Sequence, residues 1–499
     1  MDWQGDITVK MANHEIAGCE TELRSYNGQL VGTTIRIKPG DTININLKNM
    51  LPVDDTPPPA DINTPHNFNV TNFHTHGLHV SPSGNSDNVL IAVNPKESWQ
   101  VEISVPKNHP TGTFWYHAHV HGSTALQVSS GMAGAIIIEN PDDPRSLDSL
   151  PEIKSAKEQI LLLQQISYDE QGEIKNYDNF GPNTWGNNKR RPTINGQIMP
   201  EIVLQPGEVR RWRLIHGGIR ETFMVGVIDT DLSPDNKNYQ WTLNEIAVDG
   251  LALDHINGWP ALELQPGYRS DVLVQAPQLA YGETEKIFYM VDLKTTAAAS
   301  LLGVAEAQQV LAKIVVRGTP KNMALPCEAN KACPAMKDMQ PHKNISDSEL
   351  DDGTEKVEFN IAKRICPLEG KACLPCPEPK TAKCATRFMI NEIPFSEKNI
   401  RTLTLGTASQ WKLSSALASH PFHIHVNPFQ ITRKNPLGED EIIWRDTVLV
   451  RAGEAPIDMR TRYERYIGKF VIHCHILDHE DQGMMQIVEI VPPGGSAHH

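Results

Sequence analysis

No apolar run in the chain approaches the ~18 residues that a membrane-spanning helix needs; stretches such as Ile160–Leu163 and Ala135–Ile138 are strand-sized. Cations are in deficit. Against 60 Asp and Glu stand 46 Lys and Arg, a net charge of −14, which argues against a nucleic-acid partner because phosphate binding draws on surplus Lys and Arg. Long helical periodicities are scarce. Cysteine is nearly missing outside one stretch, since only Cys19 and Cys474 fall beyond Cys327–Cys384. The opening residues, Met1-Asp2-Trp3-Gln4-Gly5, lack a charged segment followed by an apolar one, so no secretory leader is read there; either the protein is cytosolic or a leader was removed.

What the sequence does hold is 499 residues, enough for about three domains. Its 39 % hydrophobic and 21 % charged residues suit a soluble globular chain and exclude general disorder. With 34 Gly and 36 Pro, the composition favours many short strands joined by turns.

A strand–turn–strand phrase recurs. Residues 35–47, 202–214 and 262–274 each alternate apolar and polar residues about a Pro-Gly turn, and a degenerate copy runs from Leu403 to Leu413. Period-two patterning around a turn predicts a β-hairpin at each place and duplicated β-sandwich units. A second repeat is sharper: Gly112–His119 aligns without gaps on Gly468–His475, and Phe73-His-Thr-His76 on Phe422-His-Ile-His425. The first and last thirds therefore read as copies of one domain, each with two His-x-His pairs, and the middle third has none. The predicted fold is all-β, three Greek-key β-sandwich domains at 1–150, 151–318 and 319–495, with a Cys-rich insertion at about 327–384.

The 20 His are clustered. On a strand, residues i and i+2 share a face, so His74/His76, His117/His119, His423/His425 and His473/His475 each offer two ligands to one side. Eight imidazoles converging between two domains could hold a small metal cluster, although imidazole alone does not choose among Cu, Zn, Fe and Ni. The reverse face of the last strand narrows the choice. Cys474 points away from its two His neighbours and is followed by His479 and Met484, with His420 upstream. One thiolate, two imidazoles and a weak thioether form a blue-copper set. Met485 is the competing thioether and either methionine could be core, but Gly483 and the spacing favour Met484. In the first domain Thr71, Ala118 and Ser123 occupy the equivalent positions, so one such site is expected. His79, His109 and His121 read as structural neighbours; His14, His66, His216, His255 and His342 receive no role.

At His74-Thr-His-Gly77, Trp115-Tyr-His-Ala-His119, His420-Pro-Phe-His-Ile-His425 and His473-Cys-His-Ile-Leu-Asp-His479-Glu-Asp-Gln-Gly-Met484 the chain resembles the multicopper oxidase family, particularly three-domain bacterial laccases. The resemblance implies cupredoxin-like domains and four coppers per chain. Type 1 copper would sit on His420, Cys474 and His479 with Met484 axial, and type 2 copper on His74 and His423. One type 3 ion would take His76, His117 and His475, the other His119, His425 and His473. Asp87 and Glu480 match positions linked to proton delivery; Asp87 could also be an ordinary loop residue, and Glu480 a carboxylate that fixes a ligand imidazole. The implied activity is one-electron oxidation of phenols and aryl amines coupled to reduction of O2 to water, in a monomer. Oxidation of Cu(I), Fe(II) or Mn(II), or of bilirubin, is the alternative within the family, and a non-catalytic copper carrier the alternative outside it. Met323, Met336, Met339 and His342 form a thin candidate Cu(I) relay.

The six cysteines of the insertion are expected to form disulfides, since so Pro-, Lys- and Glu-rich a stretch needs cross-links; a zinc site on Cys373-Leu-Pro-Cys376 is the competing reading. Disulfides favour a periplasmic or extracellular location. Cys19 is then the odd thiol, expected to be a small buried residue. The insertion either caps the substrate pocket or only stabilises a long loop. The end, Gly494–His499, reads as linker and tag.

Overall fold

The computed structural model describes residues 2–494 apart from 175, 178–179, 181–188, 234–235, 237, 302, 367 and 378–383. Six sheets stack in pairs into three sandwiches. In the first, strands Cys19–Tyr26, Trp3–Ile16, Thr42–Asn49 and Ser98–Ser104 face strands Ile35–Ile37, Ala133–Ile138, Gly112–His117 and His74–His76. Their alternating apolar side chains, among them Ile43, Ile45, Leu47, Ile136 and Ile138, fill the space between. The middle sandwich has six strands against five, and the last seven against five. The apolar runs noted above lie in strands, and no helix among the described residues is long and apolar enough to cross a membrane.

The expected hairpins are not hairpins. Ile35–Ile37 and Thr42–Asn49 flank their Pro-Gly turn but lie in opposite sheets, as do Glu201–Leu204 and Val209–His216, Ala261–Leu264 and Arg269–Gln275, and Ile400–Thr404 and Ala408–Ser415. Alternation fixes which face of a strand is buried, but two strands packed face to face alternate just as two paired strands do. Each phrase is an arch from one layer to the other. The duplication it signals is real, because, the antiparallel-paired arch at 261–275 apart, the same pairing surrounds each arch. The strand after it pairs in parallel with the first long strand of its sandwich (Trp3–Ile16, Lys157–Tyr168, Leu350–Ile365). The strand before it pairs in parallel with the last (Ala133–Ile138, Gln309–Arg317, Met485–Val491).

The insertion holds three disulfides, Cys327–Cys333, Cys366–Cys373 and Cys376–Cys384. Cys373 and Cys376 belong to different bridges, which removes the zinc reading. The first bridge packs with buried Met336 and Met339 against Leu147, Leu150, Ile246 and Leu273. The other two lie in the connection between Leu350–Ile365 and Ala385–Ile390, strands paired from Phe359–Ile390 to Arg364–Ala385. Cys19, expected to be buried, is partly exposed, near the start of the edge strand of its sheet.

Candidate metal centres

The sheets that carry the His-x-His phrases place them by register. Strand His74–His76 pairs with Gly112–His117 so that His74 lies opposite His117, and His420–Ile424 pairs with Gly468–Cys474 so that His423 lies opposite His473. These are equivalent positions of the two aligned copies. The copies meet face to face: the rings of His74 and His425 stack at 4.0 Å between centroids, and those of His76 and His423 at 3.8 Å. All eight imidazoles are buried. Potential ligand atoms lie within 4.8 Å of one another in His76/His117/His475, His74/His76/His423, His74/His119/His425 and His423/His425/His473. Nε2 of His473 is 3.2 Å from Nε2 of His119 and 3.3 Å from that of His425.

Four of these rings are anchored by one nitrogen and leave the other without a partner. Nδ1 of His117 donates to the Ala118 carbonyl (2.9 Å), and that of His423 to the Asp446 carbonyl (2.9 Å). Nδ1 of His74 donates to Asp87 (2.9 Å), which also accepts from the Thr75 amide (3.0 Å). His76 is held the other way round, with Nε2 donating to Asp446 at 3.0 Å. The opposite nitrogens, His74 Nε2, His76 Nδ1, His117 Nε2 and His423 Nε2, are buried without a hydrogen bond, as are both of His475. Burying so many unpaired ring nitrogens together costs free energy unless they have a ligand in common, and neutral imidazoles held by a hydrogen bond on the far side are the form that binds soft-to-borderline metals. Burial, reinforced by neighbouring charges, holds His76, His117, His119, His423, His425 and His475 well below the ordinary histidine range, and His473 down to about 3, so their lone pairs are free at neutral pH.

A second cluster lies behind the same strand. Cys474 Sγ is 3.3 Å from Nδ1 of His420, which is 3.4 Å from Nδ1 of His479. Met484 is completely buried in the core that holds Cys474, and its carbonyl accepts from the Cys474 amide at 3.0 Å. Met485 packs elsewhere, with Val89, Phe395 and Val471. Burial pushes the free Cys474 thiol up, the cost that a bound cation would offset by holding the thiolate.

Multicopper oxidase family models match residues 62–143 and 376–494, the segments that supply these two ligand sets. The chain belongs to the multicopper oxidase family. It is 24 % identical over 473 residues to the multicopper oxidase mco of Staphylococcus aureus, covering 93 % of this chain and 83 % of that one. It is also 24 % identical to the laccase of Bacillus subtilis, covering 98 % and 94 %. Its fold matches the multicopper oxidase from Campylobacter jejuni, described as a metallo-oxidase, at a TM-score of 0.70 and 23 % identity over 98 % of this chain and 91 % of that one.

Around the centres of this multicopper oxidase stand charged groups that, Glu480 apart, the sequence did not single out. Asp446, from the last sandwich, is 3.0 Å from His76 of the first and accepts from Arg269 of the middle one at 2.8 Å. Gly77 makes room for this junction. It sits at φ +91°, and a Cβ there would fall 2.3 Å from the Arg269 Nη2. Gly267, in the Pro-Gly turn of a middle-sandwich arch, approaches the rings of His76 and His475 in the same way. Glu480 is buried, with its oxygens 3.3 Å from Nδ1 of both His119 and His473. Burial and the adjacent Asp481 push its carboxyl well up. Asp481 accepts from the amides of Gly122, Thr124 and Ala125, tying the first and last sandwiches together. His79, His109 and His121 bond among themselves, to backbone carbonyls or to Asn63, as structural neighbours do.

Proposed function

We propose that the chain is a laccase-type multicopper oxidase, taking electrons singly from phenols and aryl amines and passing them to O2, which is reduced to water. Type 1 copper belongs on His420, Cys474, His479 and Met484, and a trinuclear set on the eight paired imidazoles, with the type 2 and type 3 divisions given above. The observation that carries the reading is the back-to-back placement of the two clusters: Cys474 faces one, while His473 and His475, bonded to it on either side, face the other. Bound copper would supply one-electron chemistry at the first set and four-electron oxygen reduction at the second. The chain's own part is to hold the ligands in place, exclude water and stage protons. Asp87 fixes the proton of His74 on Nδ1, and Glu480, raised by burial, is suited to keep a proton beside His119 and His473.

Oxidation of Cu(I) or Fe(II) remains the second reading, favoured by the metallo-oxidase description of the Campylobacter jejuni relative. Against a methionine relay, Met336 and Met339 are buried in a cluster with Leu147 and Leu150, separate from the core around Cys474. The three disulfides support an oxidising, extracytoplasmic location. The test is copper quantitation and an absorption band near ~600 nm, followed by oxygen uptake with a dimethoxyphenol and with Cu(I). About four coppers per chain and phenol turnover in excess of Cu(I) turnover are expected. Preference for Cu(I) moves the assignment to metallo-oxidase, and copper bound without oxygen uptake makes the protein a carrier.

A further inference from the structure

The middle sandwich supplies none of the expected ligands, yet it touches the second cluster. Its loop after strand Val209–His216 docks on the short helix Leu477–Asp481, where the Leu477 amide donates to the Ile219 carbonyl at 3.1 Å. The loop is braced from within. His216 accepts from the Gly218 amide through Nδ1 (3.1 Å) and donates from Nε2 to the Glu221 carbonyl (3.1 Å), and Glu221 holds a φ of +72°, a conformation that a non-glycine residue keeps only where its surroundings demand it. What the loop presents is Arg220. Its guanidinium is buried, bonds Asp478 through Nε (3.0 Å) and Nη2, and brings Nη2 to 3.2 Å from Nε2 of His479. A guanidinium carries five donors, no acceptor and a permanent charge, so it meets this ring only as a cation.

We propose that Arg220 is a positioning residue of the type 1 centre: acting from beside His479, it sets the reduction potential there through its charge. The inference rests on the assignment of His420, Cys474 and His479 to that centre. A cation held in a water-poor site beside a ligand favours the metal form with the lower charge, and so raises the potential. Asp478 opposes it, but reaches the ring through the guanidinium. Removing Arg220 therefore acts twice in one direction, because the cation goes and a buried carboxylate is left without its partner.

The experiment is redox titration of the ~600 nm band in the copper-loaded protein and in Arg220→Gln, Arg220→Lys and Asp478→Asn. In Arg220→Gln the equilibrium for reduction falls about tenfold, or ~59 mV for one electron. Asp478→Asn moves it up, and Arg220→Lys stays within about threefold of the parent. A loop that served only as packing would not shift the potential with opposite sign in the two charge variants. Should Arg220→Gln not fold, Asp478→Asn decides, because it keeps the guanidinium. A potential that ignores it, or falls with it, overturns the inference. A copper-loaded parent with no blue band overturns the type 1 assignment and the inference together.

Discussion

Replacing Asp446 by Asn tests how far the three sandwiches depend on one carboxylate. Its oxygens accept from Arg269 at 2.8 Å on one side and a closer contact on the other, from the Thr447 hydroxyl at 2.8 Å, and from His76 at 3.0 Å. Arg269 is 1 % exposed, so in the variant a guanidinium stays out of water without its main countercharge. Breaking a buried pair on one side costs ~3–5 kcal/mol. The lower end applies here, since Asp249 lies 4.0 Å from the same guanidinium and offers partial compensation. We expect the metal-free protein to lose about 3 kcal/mol of unfolding free energy in urea. The copper-loaded protein should also bind its trinuclear metal ~10–100-fold more weakly, because the anchor of His76 has weakened. A double variant, Arg269→Met with Asp446→Leu, separates the two effects: stability should recover, as it often does when both partners become apolar, while metal affinity should not. An Asp446→Asn protein with unchanged urea midpoint and full copper would refute the reasoning.

Three further outcomes are expected. Cys474→Ser should abolish the blue band and oxidase activity while about three coppers stay bound, measured by absorption and metal analysis; retained oxidase activity would remove the thiolate from the electron path. Glu480→Gln should lower oxygen turnover by ~10²-fold while leaving the blue band in place, and unimpaired turnover would deny Glu480 a part in proton delivery. At the contact of the middle and last sandwiches, His255 lies between Asp254 and Glu441, whose hydrogen bonds raise it to about 10, while Glu441 is lowered to about 2 against the cost of its burial, first by His255 and then by Arg433. Stability from His255 is complete below about 6.5 and is lost as pH rises through 10. That from Glu441 is complete above about 4.5 and is lost as pH falls through 2. His255→Gln should therefore cost about 1 kcal/mol near pH 6 and nothing near pH 11; equal cost at both would exclude the pairing.

The paired histidines were legible because strand period puts i and i+2 on one face and two aligned copies repeat the pattern, although His119, His425 and His475 fall just past the ends of their strands. Cys474 was legible for the same reason, as the residue between them. The arches were misread as hairpins because alternation reports burial and is silent about which layer a strand joins. Met484 was preferred to Met485 in the sequence on Gly483 and the spacing, and the structure puts Met484 in the core that holds Cys474 and Met485 in another. Asp446, Arg269 and Arg220 carried no local signal. Each acts across a sandwich boundary, on partners 177 to 370 residues away, and a single sequence does not encode such neighbours as a motif. Asp478 was closer to view, inside the last His-rich phrase, but its meaning depends on a loop from the middle of the chain.

The arches bear on where this molecule tolerates change. A hairpin turn can be lengthened at the cost of a local rearrangement, because both its strands stay in one plane of hydrogen bonds. An arch is the rivet between two planes. An added residue at Gly406 would slide Ala408–Ser415 past Ile400–Thr404, and with the latter the whole layer that carries His420 and Cys474. Peptide grafts and reporter insertions therefore belong in the cross-linked connection between Ile365 and Ala385, whose extra length leaves both layers in register.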